Sequence, residues 1–333
     1  MRDGASEPPP LSSPPDIEAA WMDAMRRGDW ARAWALSDSV LAARDPADFD
    51  RPWTPYHTRC VWDGRPLAGR RVLIRCYHGL GDTIQFIRFG ATLRAQGCAV
   101  LVEAQPELIP LIRPCGWVEA VVPLGGAETL THDAAIESME LPHALRALPK
   151  TVPNQVPYLH PGDAAPTLPA GDGRLRVGLV WRAGDWDPHR SLDLEALAPL
   201  LAVTGVRFVG LQLGADAAGP HRPGVADAAS PDLPTLAANL RGLDLLVSVD
   251  TMAAHLAGAL GRPVWTLLRA GADWRWGLGD RTPWYPTMRL FRQAAAGDWS
   301  APVAAAATAL AAWAAKPEGV ATSRRRSQDG SGG

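Results

Sequence analysis

The chain has 333 residues, 47% of them hydrophobic, and a formal charge of −2. That length suits two domains with two buried cores, and the near-neutral charge gives no bias toward nucleic acid or an anionic membrane surface. Lys150 and Lys316 are the only lysines, and this arginine skew, with the abundant alanine, reads as coding base composition rather than function.

Residues 1–15, MRDGASEPPPLSSPP, make a Pro/Ser-rich tail that is expected to be disordered and that lacks the apolar core of a signal peptide. From Ile17 to about Ala43 the pattern gives two short amphipathic helices broken at Gly28-Asp29, with Trp21, Met25, Trp30, Trp34 and Leu36 on their apolar faces. One helical hairpin of the tetratricopeptide type is therefore predicted over 16–48. A single hairpin cannot form a solenoid, so it should pack on the next domain as an appendage. Over 58–160, strand patterns at 70–77, 98–105 and 118–124 alternate with helix patterns at 82–97 and 106–116, the run expected of a parallel, doubly wound sheet. The stretch 150–174, with Pro153, Pro157, Pro161, Pro166 and Pro169, reads as an interdomain connection. A second alternating series occupies 172–300, with strands at 175–181, 206–212, 245–250 and 263–268 and helices such as 192–203 between them. A terminal helix over 301–315 and a second disordered tail over 316–333 complete the chain. Two such domains in tandem imply a cleft where the carboxyl ends of their strands face each other.

Cys60, Cys76, Cys98 and Cys115 show no C-x-x-C spacing and lie in or beside apolar stretches, which supports neither a zinc site nor a disulfide framework and suits a reducing cytosol. No metal site is expected. No apolar run approaches the roughly 18 residues that a membrane span needs.

The most informative segment is LLVSVDTMAAHLAGALGRPVW, 245–265. An apolar run there meets Asp250 and Thr251, residues preferred at a helix start, and Gly261 and Pro263 end the helix. Its N-terminus would lie at the carboxyl edge of the sheet, where backbone N–H groups and the helix dipole attract phosphate, with His255 about one turn in. Asp250 as a plain helix cap and His255 as a satisfied core histidine is the competing reading. In the first domain the strand at 70–77 runs into His78-Gly79-Leu80-Gly81-Asp82-Thr83, where the glycines would allow a tight turn and Asp82 would project into the cleft as a general base for a sugar hydroxyl, or serve only as a cap. Ile84 stands where a dinucleotide fingerprint needs its third glycine. Arg182, His189 and Arg190 lie in a polar loop after the strand at 175–181 and could neutralise a diphosphate without a metal; Gln212 closes the neighbouring strand and could bond a base or ribose. In 272–293, Trp274 could stack on a base or sugar beside Arg275 and Arg281, whereas Trp284 and Tyr285 are expected to pack the loop.

Together GLGDTIQFIRF (79–89), VGLVW (177–181), VSVDTMAAHLAGALGRPVW (247–265) and DWRWGLGDRTPWYPTMRLFRQ (273–293) resemble the glycosyltransferase domain of bacterial tetratricopeptide-repeat proteins, which is similar to glycosyltransferase family nine, the ADP-heptose lipopolysaccharide heptosyltransferases. The resemblance covers about residues 58–312. It implies an α/β chain of GT-B fold, with two Rossmann-like domains facing a cleft, the acceptor bound by the first and a nucleotide-sugar donor by the second. By that resemblance Asp82 is the catalytic base and Asp250, Thr251 and His255 are the donor motif; the local residue patterns add His78, Gly79 and Gly81 as an acceptor loop and Arg182, Arg190, Gln212 and Trp274 as further donor contacts. The implied reaction is an inverting, metal-independent transfer from a nucleoside-diphosphate sugar to a glycan, lipopolysaccharide or protein hydroxyl, with no cofactor. It would take place in the cytoplasm and allows a peripheral association with the inner membrane. Met252 stands at the motif glycine, and the basic loop lacks the heptosyltransferase lysine. A degenerate domain that binds nucleotide sugar or acts as a scaffold is the first alternative, and a nucleotide-sugar epimerase of GT-B fold the second.

Overall fold

The computed structural model describes residues 14–49, 51, 53–55, 59–184, 187–214 and 224–315. The tails expected to be disordered lie outside this set, apart from Pro14 and Pro15, and so do Asp185 and Trp186 of the basic loop. Helices α1 (Pro14–Arg27) and α2 (Trp30–Ala42) form the predicted hairpin. Gly28 takes a φ of +79° at the turn, and the Asp29 carboxylate caps α2 by accepting from the Arg32 N–H at 3.2 Å.

The first domain holds four parallel strands, β1 (Arg71–Arg75), β2 (Ala99–Ala104), β3 (Val118–Pro123) and β4 (Ala134–Glu137), in the order β3-β2-β1-β4. Its helices are α3 (Leu80–Phe86), α4 (Phe89–Ala95), α5 (Ile109–Ile112) and α6 (Leu141–Ala144). The second domain holds six parallel strands: β5 (Leu175–Val180), β6 (Val206–Gly210), β7 (Val225–Asp227), β8 (Leu245–Val249), β9 (Val264–Leu268) and β10 (Met288–Arg292). Their order is β10-β9-β8-β5-β6-β7. Every residue of β8 and β9 is buried, as expected where helices cover both faces of a parallel sheet. Helices α7 (Ala198–Leu201) and α10 (Ser300–Ala314) lie on one face, and α8 (Leu233–Arg241) and α9 (Met252–Ala259) on the other.

The helix predicted over 82–97 is two short helices, because the chain turns at Ile87-Arg88, where Arg88 is drawn into hydrogen bonds outside the helix. Pro106, Pro110 and Pro199 cut the helices expected over 106–116 and 192–203 to single turns preceded by 3₁₀ segments. Strands β4, β7 and β10 were not anticipated; β10 sets Arg289 and Arg292 among Met288, Leu290 and Phe291 inside the tryptophan-rich segment 272–293.

One apolar core runs without interruption from the hairpin through the first sheet to α8 and α9, in place of the two separate cores expected from length. A second core fills the α7/α10 face. The hairpin docks on both domains. Trp34 Nε1 donates to the Ala147 carbonyl at 2.6 Å, Asp38 pairs with Arg146 and His143 at 2.8 Å, and Trp21 packs edge-on to Trp274 with centroids 5.2 Å apart. All four cysteines are free thiols, and among the described residues no helix is long and apolar enough to cross a membrane.

Candidate functional site

Strand β1 ends at a loop that leads into α3, and β8 ends at the turn that leads into α9. These two turns meet. A Cβ on Gly81 would lie 2.9 Å from His255 Cδ2 and 3.6 Å from the Met252 Cα, so only glycine lets α3 rest on the first turn of α9. The tight-turn role expected for the glycine pair is not what the backbone shows, since Gly79 has a φ of −66° that any residue adopts. Gly79 instead donates its N–H to Asp82 Oδ2 at 3.0 Å, so Asp82 does cap its helix.

The other carboxylate oxygen of Asp82 crosses the domain boundary. Arg275 Nη1 donates to Oδ1 at 2.6 Å, with the two side chains 12% and 22% exposed. Arg275 Nε donates to Asp273 Oδ1 at 2.9 Å. Burial works against the Arg275 charge, but Asp273, Asp82 and Asp250 outweigh it and hold its pKa above the ordinary value. Sequence reasoning placed Arg275 only beside the tryptophans. Its partner is 193 positions away, so no local pattern could reveal it.

Asp250 is buried, and Trp276 Nε1 donates to its Oδ2 at 2.9 Å. Burial raises its pKa, against the pull of Arg275, the Trp276 hydrogen bond and Arg190. Arg190 Nη1 donates to the Asp250 carbonyl at 3.2 Å, which joins the basic loop to this turn. Thr251 is the N-cap of α9, but its hydroxyl bonds to Ser248 Oγ at 2.9 Å rather than to the helix. His255 is 3% exposed, stacks on Trp276 at 5.2 Å and meets the Tyr285 hydroxyl through Nδ1 at 2.8 Å. Burial, reinforced by Arg275, Arg88 and Arg190, drives its pKa well below the ordinary range, so the ring is neutral. It lies beneath Gly81 and joins the domains.

Arg182 and Arg190, expected to act together, point different ways. Arg182 lies 3.7 Å from Asp193 and, with His189, lines a cavity of about 970 Å³ on the α7/α10 face, beside Arg269, Gln293 and Trp299. Gln212 spends its carbonyl on the N–H groups of Trp181 and Arg182, at 3.1 and 2.9 Å, and so clamps the root of the basic loop. Trp274 is covered by Trp21, Phe86 and Trp284, which places it in the packing that joins hairpin to domains and not on an open face. Trp284 and Tyr285 are buried, as expected. His78 is partly exposed, with Nε2 3.7 Å from Glu137 Oε1. Glu137 was not foreseen. Burial pushes its pKa up to about 8, although Ser138 Oγ and the Met139 N–H donate to it.

Arg88 is a further unpredicted joint. It is 2% exposed, donates to the Pro153 and Trp284 carbonyls and to the Tyr158 hydroxyl, and lies 4.5 Å over the Tyr285 ring. Carbonyl oxygens and ring faces thus take the place of a carboxylate partner.

No family model matches the chain. Protein FlbA of Caulobacter vibrioides is 28% identical over 294 residues, a match that covers 76% of this chain and 48% of FlbA, so the chain spans about half the length of that curated relative. Among solved structures, the glycosyl transferase family 9 protein of Veillonella parvula superposes with a TM-score of 0.50 and 13% identity, over 69% of this chain and 87% of that one. The iron-containing dodecameric glycosyltransferase TibC of Escherichia coli gives 0.52 and 15%, over 72% and 67%. TibC in complex with ADP-D-β-D-heptose gives 0.51 and 14%, over 71% and 66%. At these identities the likeness establishes the fold: two parallel-sheet α/β domains of the GT-B glycosyltransferase type, with a helical hairpin ahead of them.

Proposed function

We propose that the protein transfers a sugar from a nucleoside-diphosphate sugar to a hydroxyl of a glycan, lipopolysaccharide or protein, with inversion and without a metal. The observation that carries this reading is the meeting of the Asp82 turn and the Asp250 turn, one from each sheet, with Arg275 between them. Asp82 takes the acceptor proton while the acceptor oxygen displaces the diphosphate from the opposite side of the anomeric carbon; one displacement inverts that centre. Charge on the leaving diphosphate is met by the first turn of α9 and by Arg190, which already touches the Asp250 turn. The cavity along Arg182 and His189 opens at the ends of the same sheet and falls within the size range of ligand pockets, which gives the body of the donor room. Because TibC is seen with ADP-D-β-D-heptose, ADP-linked sugars head the donors to try.

Asp82→Asn keeps the shape of the side chain and removes its proton affinity. Turnover of a nucleotide sugar should fall at least about a thousandfold with nucleotide still bound, a loss of the size expected of general-base catalysis. Substantial residual turnover would remove Asp82 from that role. The packing of α3 on α9 and the presence of Met252 favour a second reading, a domain that binds nucleotide sugar without transfer. Binding of a nucleotide sugar with neither transfer nor hydrolysis would select it; epimerised sugar without an acceptor would select an epimerase.

A further inference from the structure

Arg275 carries three acidic neighbours, and they are not equivalent. Asp273 lies two residues away on the same loop and moves with it. Asp250 is held by Trp276. Asp82 alone belongs to the other domain, so its contact is the one that can be exchanged without rebuilding the loop. Both oxygens of Asp82 are committed, Oδ2 to the Gly79 N–H and Oδ1 to Arg275. An oxygen that already accepts a guanidinium proton at 2.6 Å keeps a second lone pair, but the charge-assisted bond fixes the carboxylate in place and draws on the electron density that an incoming hydroxyl proton would need. A diphosphate resting on the first turn of α9 would bring anionic oxygens to the same guanidinium, whose planar fork matches phosphate better than a single carboxylate oxygen.

We infer that Arg275 is a catalytic residue shared between base and leaving group: the donor's diphosphate and the Asp82 carboxylate compete for its guanidinium, and the donor, by winning, frees Asp82 to act as base. The inference rests on the donor-site reading above. In the step itself, the acceptor O–H proton passes to the freed Asp82 oxygen and the acceptor oxygen forms its bond to the anomeric carbon. The bond from that carbon to the diphosphate breaks, and its electron pair leaves with the diphosphate, where Arg275 meets the charge. Base activation thereby requires a bound donor. An acceptor that arrives alone finds the Asp82 carboxylate held by Arg275.

Competition makes a prediction that a purely structural ion pair does not. Calorimetric titration of ADP, GDP and UDP should show that Asp82→Asn binds whichever nucleotide the wild type binds, and binds it roughly threefold tighter or better, because a competitor for Arg275 has been removed. Arg275→Gln should bind it about tenfold more weakly, as expected for loss of a charge-assisted contact. Adding Asp82→Asn to Arg275→Gln should then change nothing further. Unchanged or weaker binding by Asp82→Asn overturns the competition, and that variant decides the matter even if Arg275→Gln fails to fold. Unchanged binding by a folded Arg275→Gln overturns the contact with diphosphate. Failure of the wild type to bind any of the three nucleotides would instead remove the donor-site reading, and this one with it.

Discussion

At the scale of single residues, Glu137 is the most exposed to a change of pH. It faces Ser138, the Met139 N–H and His78, and the charges of Glu140 and Asp82 add to the effect of burial. An ordinary glutamate titrates near 4.5, and here the value is about 8. Between those limits the unfolded chain has released a proton that the folded chain keeps. Stability therefore falls as pH rises through that window, with a slope that approaches about 1.4 kcal/mol per pH unit. Glu137→Gln should remove the slope. Urea denaturation of both proteins at pH 5 and pH 8 checks this; parallel pH dependence in the two would show that Glu137 is ionised in the fold. Sequence inspection had no means of finding this residue, because its strand β4 is four residues long and its burial comes from neighbours elsewhere in the chain.

The contact between α3 and α9 governs the site at the scale of elements. Gly81→Ala would place a methyl 2.9 Å from His255 Cδ2, so α3 must lift from α9. The cost should be about 1–3 kcal/mol, as for other overpacked contacts. Asp82 is the next residue and would move with the helix, so turnover should drop more steeply than the melting temperature; a thermal melt beside a kcat measurement separates the two effects, and equal losses would mean that the pairing with Arg275 survives. The strand-to-helix turns at Asp82 and Asp250 were legible in the sequence because each is encoded within a dozen residues: an apolar run, then glycine or a capping side chain. What Gly81 is for, and which partner Arg275 takes, were not legible. Both depend on a surface contributed by the other domain, and hydrophobic periodicity carries no information about it.

Taken whole, the molecule is two α/β domains fused by shared burial. The core that joins them, the buried Arg88 and the tryptophans of the hairpin leave no plane along which one domain could come away intact. The protein should therefore unfold in one cooperative step, with near-ultraviolet and far-ultraviolet circular dichroism losing signal at the same denaturant concentration. Separate midpoints would show that the domains are independent. The sequence announced the hairpin, the alternation of strands and helices and the presence of two α/β domains in tandem, since these follow from local patterns. It did not announce that Trp21 and Trp30 meet Trp274 and Trp284, which turns an appendage into a staple. That staple also has a consequence for biosynthesis. Trp21 and Trp30 are made about 250 residues ahead of the tryptophans that cover them, Trp274 and Trp284. The nascent chain must carry an uncovered aromatic face across that whole interval, and the most aggregation-prone stage of folding is the wait for residues 274–284 to emerge.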